Sequence, residues 1–257
     1  MQDQRYLQWA ELLYLLTLKE LKVRYKRSVL GYLWAIANPF IFALVYWLAF
    51  KFIMRVEMEN YIVFILTGMF PWGWLSQSTI QGTGSFANNL SLVRRVKLPK
   101  LILPLSNVMQ EMFHFMFAIP VIFFFMAING ERIYPLTLLW QMPLMLTLQL
   151  LFVFPLAVIG AVLNVYVRDI QYLIGIAFSA LFFATPMVYP LSMVPVEYQF
   201  YFKLNPMYWL IDSWRIVFAG GILPLDHVAC VSASIVAFSL IACWVYQRLA
   251  MRIPELV

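Results

Sequence analysis

Charge is scarce in this sequence, and so are the residues that usually carry chemistry. Only 12% of the 257 residues are Asp, Glu, Lys or Arg, and there are two cysteines and two histidines. His114 and His227, with Cys230 and Cys243, leave little from which to build a metal centre or an activated nucleophile. No HExxH, CxxC or G-x-S-x-G pattern occurs. No glycine is followed by lysine, so the phosphate-cradling G-x-x-x-x-G-K-[ST] loop is missing as well. The two cysteines lie in one apolar block, too far apart along a helix to bond to each other. The first 30 residues carry charge throughout, so no secretory leader with a short basic start and an apolar centre is read there. A chain with these gaps is a poor candidate for an enzyme.

What is present is apolar surface. Hydrophobic residues make up 63% of the chain, with 22 Phe, 14 Tyr and 9 Trp, and the mean hydropathy is +0.81. They fall into six blocks, at about 33–54, 61–81, 101–128, 136–163, 170–190 and 228–247. About 20 apolar residues in a helix cross the ~30 Å hydrocarbon layer. Runs such as Phe40–Phe50 and Leu150–Leu163 are continuously apolar, unlike the alternating strands of a membrane barrel. The expected fold is therefore all-α and polytopic, with six transmembrane helices.

The charges assign sides. With the N-terminus inside, 13 Lys and Arg fall in inner segments and five in outer ones, the latter Lys51, Arg55, Arg132, Lys203 and Arg215 among six acidic residues. Positive residues beside spans are retained on the cytoplasmic side, which predicts both termini there. The net charge of +6 is then explained by topology and anionic inner-leaflet lipid rather than by nucleic acid.

Residues 1–32 project as an imperfect amphipathic helix, with Gln4, Gln8, Glu11, Lys19, Lys22 and Lys26 on one face, Leu15 interrupting it, and Trp9, Leu13 and Leu16 opposite. It is either a basic anchor on the inner surface or a docking surface for a cytoplasmic partner. The first span should bend near Asn38-Pro39. Gly68, Pro71, Trp72, Gly73 and Trp74 predict a broken or kinked second span, a feature that in transporters often borders the substrate path, although a kink alone explains it nearly as well.

The inner loop 82–100 is too long and polar to be a simple connector. Asn88 to Val96 should form a short helix presenting Arg94 and Arg95 and ending before Pro99. In the third span Glu111 and His114 are spaced i, i+3, which favours a satisfied interhelical contact over a proton relay. Arg168 and Asp169 occupy a tight inner turn. The region 186–227 holds Pro186, Pro190, Pro195, Pro206 and Pro224 among many aromatics, and reads as half-helices re-entering from the outer face.

Ion-coupled carriers bury several carboxylates and repeat their halves. Here Glu111 is the only acid within a span and no repeat is seen. Nothing resembles a selectivity filter either. Force supplied by a separate cytoplasmic ATPase fits these features best.

Particular stretches then carry a resemblance. Lys19-Glu20-Leu21-Lys22-Val23-Arg24-Tyr25-Lys26-Arg27-Ser28-Val29-Leu30-Gly31-Tyr32-Leu33-Trp34 with Asn38-Pro39, Arg94-Arg95-Val96-Lys97-Leu98-Pro99, Val167-Arg168-Asp169-Ile170, Ala184-Thr185-Pro186-Met187-Val188-Tyr189-Pro190 and Leu204-Asn205-Pro206-Met207 are similar, in this order, to ATP-binding-cassette permeases that export O-antigen and teichoic-acid-type polysaccharides. The resemblance implies a homodimer around a conduit and two copies of a separate nucleotide-binding subunit, which carries ATP and Mg while this chain carries no cofactor. It implies that the N-terminal helix is an interface helix, that the loop after the second span is a coupling helix, and that the segment before the last span forms gate helices.

The ATPase-coupling candidates are Lys19, Lys22, Arg24, Asn88, Asn89, Ser91, Arg94, Arg95, Arg168 and Asp169. Sugar rings stack on aromatic faces, so Tyr46, Phe70, Trp72 and Trp74 are conduit candidates, although interfacial aromatic belts occur in any membrane protein. The outer-gate candidates are Pro186, Tyr189, Pro190, Asn205 and Pro206. The expected cargo is a lipid-linked polysaccharide crossing the cytoplasmic membrane. A permease for a small molecule, drug or lipid, and a non-transporting receptor or scaffold, are the alternatives.

Overall fold

Apolar runs that enter lipid must pair their backbone amides within the segment, and here they do so as helices. The computed structural model describes residues 2–25, 28, 31–49, 58, 60–95 and 99–249. Among them every regular element is helical. The order is α1 (Gln2–Tyr25), α2 (Trp34–Leu48), α3 (Tyr61–Thr83), α4 (Ser85–Asn88), α5 (Leu90–Arg95), α6 (Ile102–Ile128), α7 (Pro135–Tyr166), α8 (Ile170–Ala184), α9 (Val196–Lys203), α10 (Pro206–Phe218) and α11 (Leu225–Leu249).

Three helices, α6, α7 and α11, are long and apolar enough to cross a membrane, which makes the chain a multi-pass membrane protein. The expected blocks at 101–128, 136–163 and 228–247 coincide with them to within three residues. α3 covers the block at 61–81, but its last two turns are polar, from Ser76 and Gln77 to Gln81 and Thr83. α2 and α8 are apolar but have only 15 residues each. The first block extends past α2 into positions 50–54, outside the described residues, and α8 stops at Ala184, before the Pro186–Pro190 segment.

Of the broken or kinked second span expected, the break is absent. α3 runs without interruption through Pro71. A proline inside a helix removes one N–H and crowds the preceding turn. Around it Thr67 Oγ1 donates to the Val63 carbonyl at 2.8 Å and the Pro71 carbonyl accepts from Gln149 Nε2 at 2.8 Å. Gly68 serves another purpose, since a Cβ there would stand 2.8 Å from Arg215 Nη2.

α3, α6, α7 and α10 enclose the main core, around Leu66, Leu75, Ile122, Phe152, Leu210 and Trp214. α3 and α7 approach closely because small residues face each other, as is usual between helices in lipid. A Cβ on Gly82 would lie 2.6 Å from Ala157 Cβ, and one on Gly160 would lie 2.1 Å from Thr83 Oγ1. A second core joins Leu16 of α1, Phe86 of α4 and Val93 of α5 to α6, α7 and α11. On α1 Leu16 is buried and Leu15 exposed, as the helical projection requires.

Candidate functional site

Three groups of side chains stand out, one at the end of the bundle bearing α4 and α5, one midway along α3 and one around α10.

At the first, the polar loop folds as two short helices, α4 and α5, with Asn89 between them. Asn89 Nδ2 donates to the Ser85 carbonyl at 3.0 Å. Lys19 Nζ of α1 lies 3.5 Å from Asn89 Oδ1 and 2.9 Å from Glu20. Lys22 and Asn88 are exposed, as are Arg168 and Asp169 in the turn between α7 and α8. That turn is tied in as well, because Gln171 donates its backbone N–H to Asn164 Oδ1, and its side chain lies beside Gly84. The backbones of Arg24, Ser91, Arg94 and Arg95 belong to α1 and α5, while their side chains fall outside the described residues. Lys100 sits just before α6, and burial pushes its ammonium below the usual lysine range.

The second group surrounds a cavity of about 620 Å³ between α2, α3 and α6, bordered by all four conduit candidates, Tyr46, Phe70, Trp72 and Trp74. Their engagements differ. Trp72 and Trp74 are two positions apart, about 200° around a helix, so their rings leave α3 in opposite directions. Trp74 donates Nε1 to the Val108 carbonyl and stacks on Phe115 at 5.6 Å, deep in the core. Trp72 turns toward α8 and meets Phe178 and Phe182 edge-on. Phe70, Gly73 and Gln77, spaced by three and four, form the face of α3 that borders the cavity.

Sequence reasoning did not single out Trp34, Asn38 or Gln77 as lining, nor place Glu111 and His114 at this cavity. The i, i+3, i+4 spacing from Phe70 would have found Gln77, had the helix been read as continuous. The Glu111 carboxylate is 4% exposed. It accepts from Gln81 Nε2 of α3 at 2.8 Å and lies 3.3 Å from His114 Nδ1, so the interhelical contact expected of this pair runs through Gln81. A second cavity of about 320 Å³, between α3 and α8, shares Trp72 and Gln77 with the first.

Around α10, Asn205 and Pro206 are a helix start: Asn205 Oδ1 accepts from Met207 N–H at 3.0 Å, and Pro206 fills the first helical position. Asn205 Nδ2 also donates to Thr185 Oγ1 at 2.8 Å, pinning α10 to the end of α8. Tyr189 donates to the Phe183 carbonyl at 2.9 Å and packs edge-on against Phe202. Pro186 is buried, and the Pro190 carbonyl closes the short 3₁₀ turn at Leu191–Met193.

Residues with no sequence signal hold this segment. The Arg215 guanidinium donates to the Met187 carbonyl at 3.0 Å and lies over the Phe64 ring at 3.8 Å, and the Tyr61 hydroxyl donates to the Val188 carbonyl. The sequence places Arg215 among outer charges; the structure sets it partly buried on α10, against Gly68 and the Phe64 ring. His227 Nε2 lies 3.0 Å from Asp212 Oδ2, joining α11 to α10. α10 ends in a Schellman turn at Gly220, φ +76°, with Gly221 N–H bonded to the Ile216 carbonyl.

Residues 11–219 match the profile of a family described as ABC-2 type transporter. The chain is 36% identical over 247 residues to the O-antigen export system permease protein RfbA of Klebsiella pneumoniae, covering 96% of this chain and 95% of that one. It is 34% identical over 219 residues to the protein of the same name from Myxococcus xanthus, covering 84% of each. The polysialic acid transport protein KpsM of Escherichia coli is 23% identical over 202 residues, covering 78% of each.

Proposed function

Since this chain belongs to the ABC-2 type transporter family, we propose that it is the membrane-spanning permease of an ATP-driven exporter that moves a lipid-linked, O-antigen-like polysaccharide across the cytoplasmic membrane. Relatives named for O-antigen export align along nearly its whole length. It works as a homodimer with two copies of a separate ATPase subunit, which binds ATP and Mg and performs the hydrolysis. Both termini and the α4–α5 loop face the cytoplasm, in keeping with the bias of basic residues.

The observation that carries the cargo assignment is the cavity between α2, α3 and α6. Aromatic side chains, Trp34, Phe42, Tyr46, Phe70 and Trp72, form much of its wall, with the amides of Asn38 and Gln77 and the Glu111 carboxylate among them. Pyranose C–H faces stack on such rings while hydroxyls need donors and acceptors, and a cavity of a few hundred Å³ is the size of a small-ligand site. The cavity and its continuation toward α8 form the protomer's part of the conduit.

Force enters at α1, α4, α5 and the 167–169 turn. Residues Lys19, Lys22, Arg24, Asn88, Asn89, Ser91, Arg94, Arg95, Arg168 and Asp169 form the docking face, and its movement is passed to α6, α7 and α11 through the core that Leu16, Phe86 and Val93 share with them. α9, α10 and the Pro186–Pro190 segment re-enter from the outer side as the gate, a reading supported by Trp214 of α10 touching the middle of α7 at Gln149. Deleting the gene in its host tests the function: surface polysaccharide should disappear while lipid-linked glycan accumulates inside, and the cloned gene should restore it. Unchanged surface glycan would favour a small-molecule permease.

A further inference from the structure

Gln149 is fully buried near the middle of α7 and joins two elements of the proposed machine. Its Nε2 donates to the Pro71 carbonyl of α3 at 2.8 Å, and its Oε1 accepts from the Trp214 indole N–H of α10. The amide orientation follows from its partners, because an indole nitrogen only donates and a carbonyl only accepts. An apolar side chain of similar size in its place would satisfy neither partner.

The bonded positions are mechanically distinct. Pro71 has no N–H to offer the Thr67 carbonyl, so that turn of α3 lacks one of its axial hydrogen bonds. Below it α3 continues into α4 and α5; above it Tyr61 donates to the Val188 carbonyl of the Pro186–Pro190 segment. Trp214 lies on the same helix as Arg215, which grips the carbonyl of Met187. Gln149 thus spans the proline turn of α3 and the helix that holds the outer segment.

We infer that Gln149 is a positioning residue for transport, coupling tilt at the Pro71 turn to movement of α10 and the segment it grips. The inference rests on the export reading only for the source of force. When the inner half of α3 moves, the Pro71 carbonyl moves against α7. The amide follows it and draws on the Trp214 indole, because releasing either partner leaves a buried polar group unmatched. Gln141, eight residues earlier on α7, bonds the Gly221 carbonyl and Leu223 N–H, and fixes the far end of α10 to the same helix.

The test uses the permease with its ATPase subunit in native membranes. Cys230 and Cys243 are first replaced by serine, and Leu204, exposed just before α10, becomes cysteine for labelling by a membrane-impermeant maleimide with and without ATP. The parent should change its labelling rate on adding ATP. Gln149→Leu should lose that change and lower export by roughly tenfold or more, with the ATPase still co-purifying and hydrolysing ATP. Trp214→Phe should behave alike, and the double variant should be no worse than either single one. Gln149→Glu, whose protonated carboxyl can both donate and accept, should keep the ATP response in acid and lose it in alkali.

An undiminished ATP response in Gln149→Leu, multiplied losses in the double variant, or a pH-independent Gln149→Glu would each overturn the inference. The labelling readout needs no glycan, so a wrong cargo would show as absent export in the parent with its ATP response intact.

Discussion

Lys19 of α1 and Asn89 at the α4–α5 junction meet at 3.5 Å although 70 residues separate them in sequence. An N-terminal helix and an internal loop thus form one face, and Phe86 and Leu16 beneath it belong to one buried cluster. A face assembled this way can be pushed as a unit.

Reversing charge there should disconnect the motor without unfolding the permease. Lys19→Glu with Lys22→Glu, and separately Arg94→Glu with Arg95→Glu, should lower the yield of co-purified ATPase subunit and abolish surface glycan. Membrane levels of the permease should stay near those of the parent, since Lys19 and Lys22 are exposed and exposed ion pairs contribute only about 0–1 kcal/mol. Immunoblotting of membranes beside affinity pull-down measures both.

The two tryptophans of α3 should separate in their effects. Trp74 is packed on Phe115 and bonded to Val108, so Trp74→Ala should cost about 3–5 kcal/mol and lower the thermal stability of the detergent-solubilised protein sharply. Gln77→Ala, at an exposed position beside the cavity, should leave stability within about 1 kcal/mol, and Phe70→Ala, partly buried, should cost less than Trp74→Ala; both should reduce export. Fluorescence-detected melting and surface-glycan staining distinguish them.

Close contact between α3 and α7 predicts that Gly160→Leu and Gly82→Leu are not tolerated. The added atoms would meet Thr83 and Ala157 well inside van der Waals distance, a misfit costing about 1–3 kcal/mol or more. Gly73→Ala is the control, since nothing lies within 4 Å of its Cβ position. Melting temperatures of the three variants decide the matter.

The two ends of the Asn205 amide make separable bonds, Oδ1 accepting from Met207 N–H and Nδ2 donating to Thr185 Oγ1 and the Ala184 carbonyl. Asn205→Ala loses the helix cap and the tie to Thr185 and should destabilise by about 1–2 kcal/mol. Asn205→Asp keeps the cap acceptor for Met207 N–H and loses the donor to Thr185 and the Ala184 carbonyl. Its loss should be the smaller, read by the same melting assay.

Much of this fold was legible because lipid imposes simple rules. The blocks at 101–128, 136–163 and 228–247 needed only length and apolarity, and the helix expected over Asn88 to Val96 is found in part, as α5 from Leu90 to Arg95, with Asn88 closing α4 instead and Val96 outside the described residues. The break expected in α3 was not found. Gly68, Pro71 and Gly73 do not act as a set: Gly68 makes room for Arg215, and Pro71 is accommodated within a continuous helix. The break, had it been there, would have hidden the cavity face, since Phe70, Gly73 and Gln77 share a side only if the helical repeat continues. The roles of Gln149, Gln141 and Arg215 depend on partners 28 to 82 residues away, and nothing local distinguishes a buried glutamine that bridges three helices from one that caps a turn.

The central claim is that this permease, driven by its ATPase, carries a lipid-linked polysaccharide across a membrane. The most direct measurement reconstitutes the purified permease with its ATPase subunit in liposomes containing fluorescent lipid-linked glycan, and follows protection of the glycan from an external glycosidase on adding ATP to the outside. The predicted result is ATP-dependent protection that is lost with a hydrolysis-deficient ATPase and reduced by Phe70→Ala and Gln77→Ala. Protection independent of ATP, or none while ATP is hydrolysed by a stably assembled complex, would contradict it.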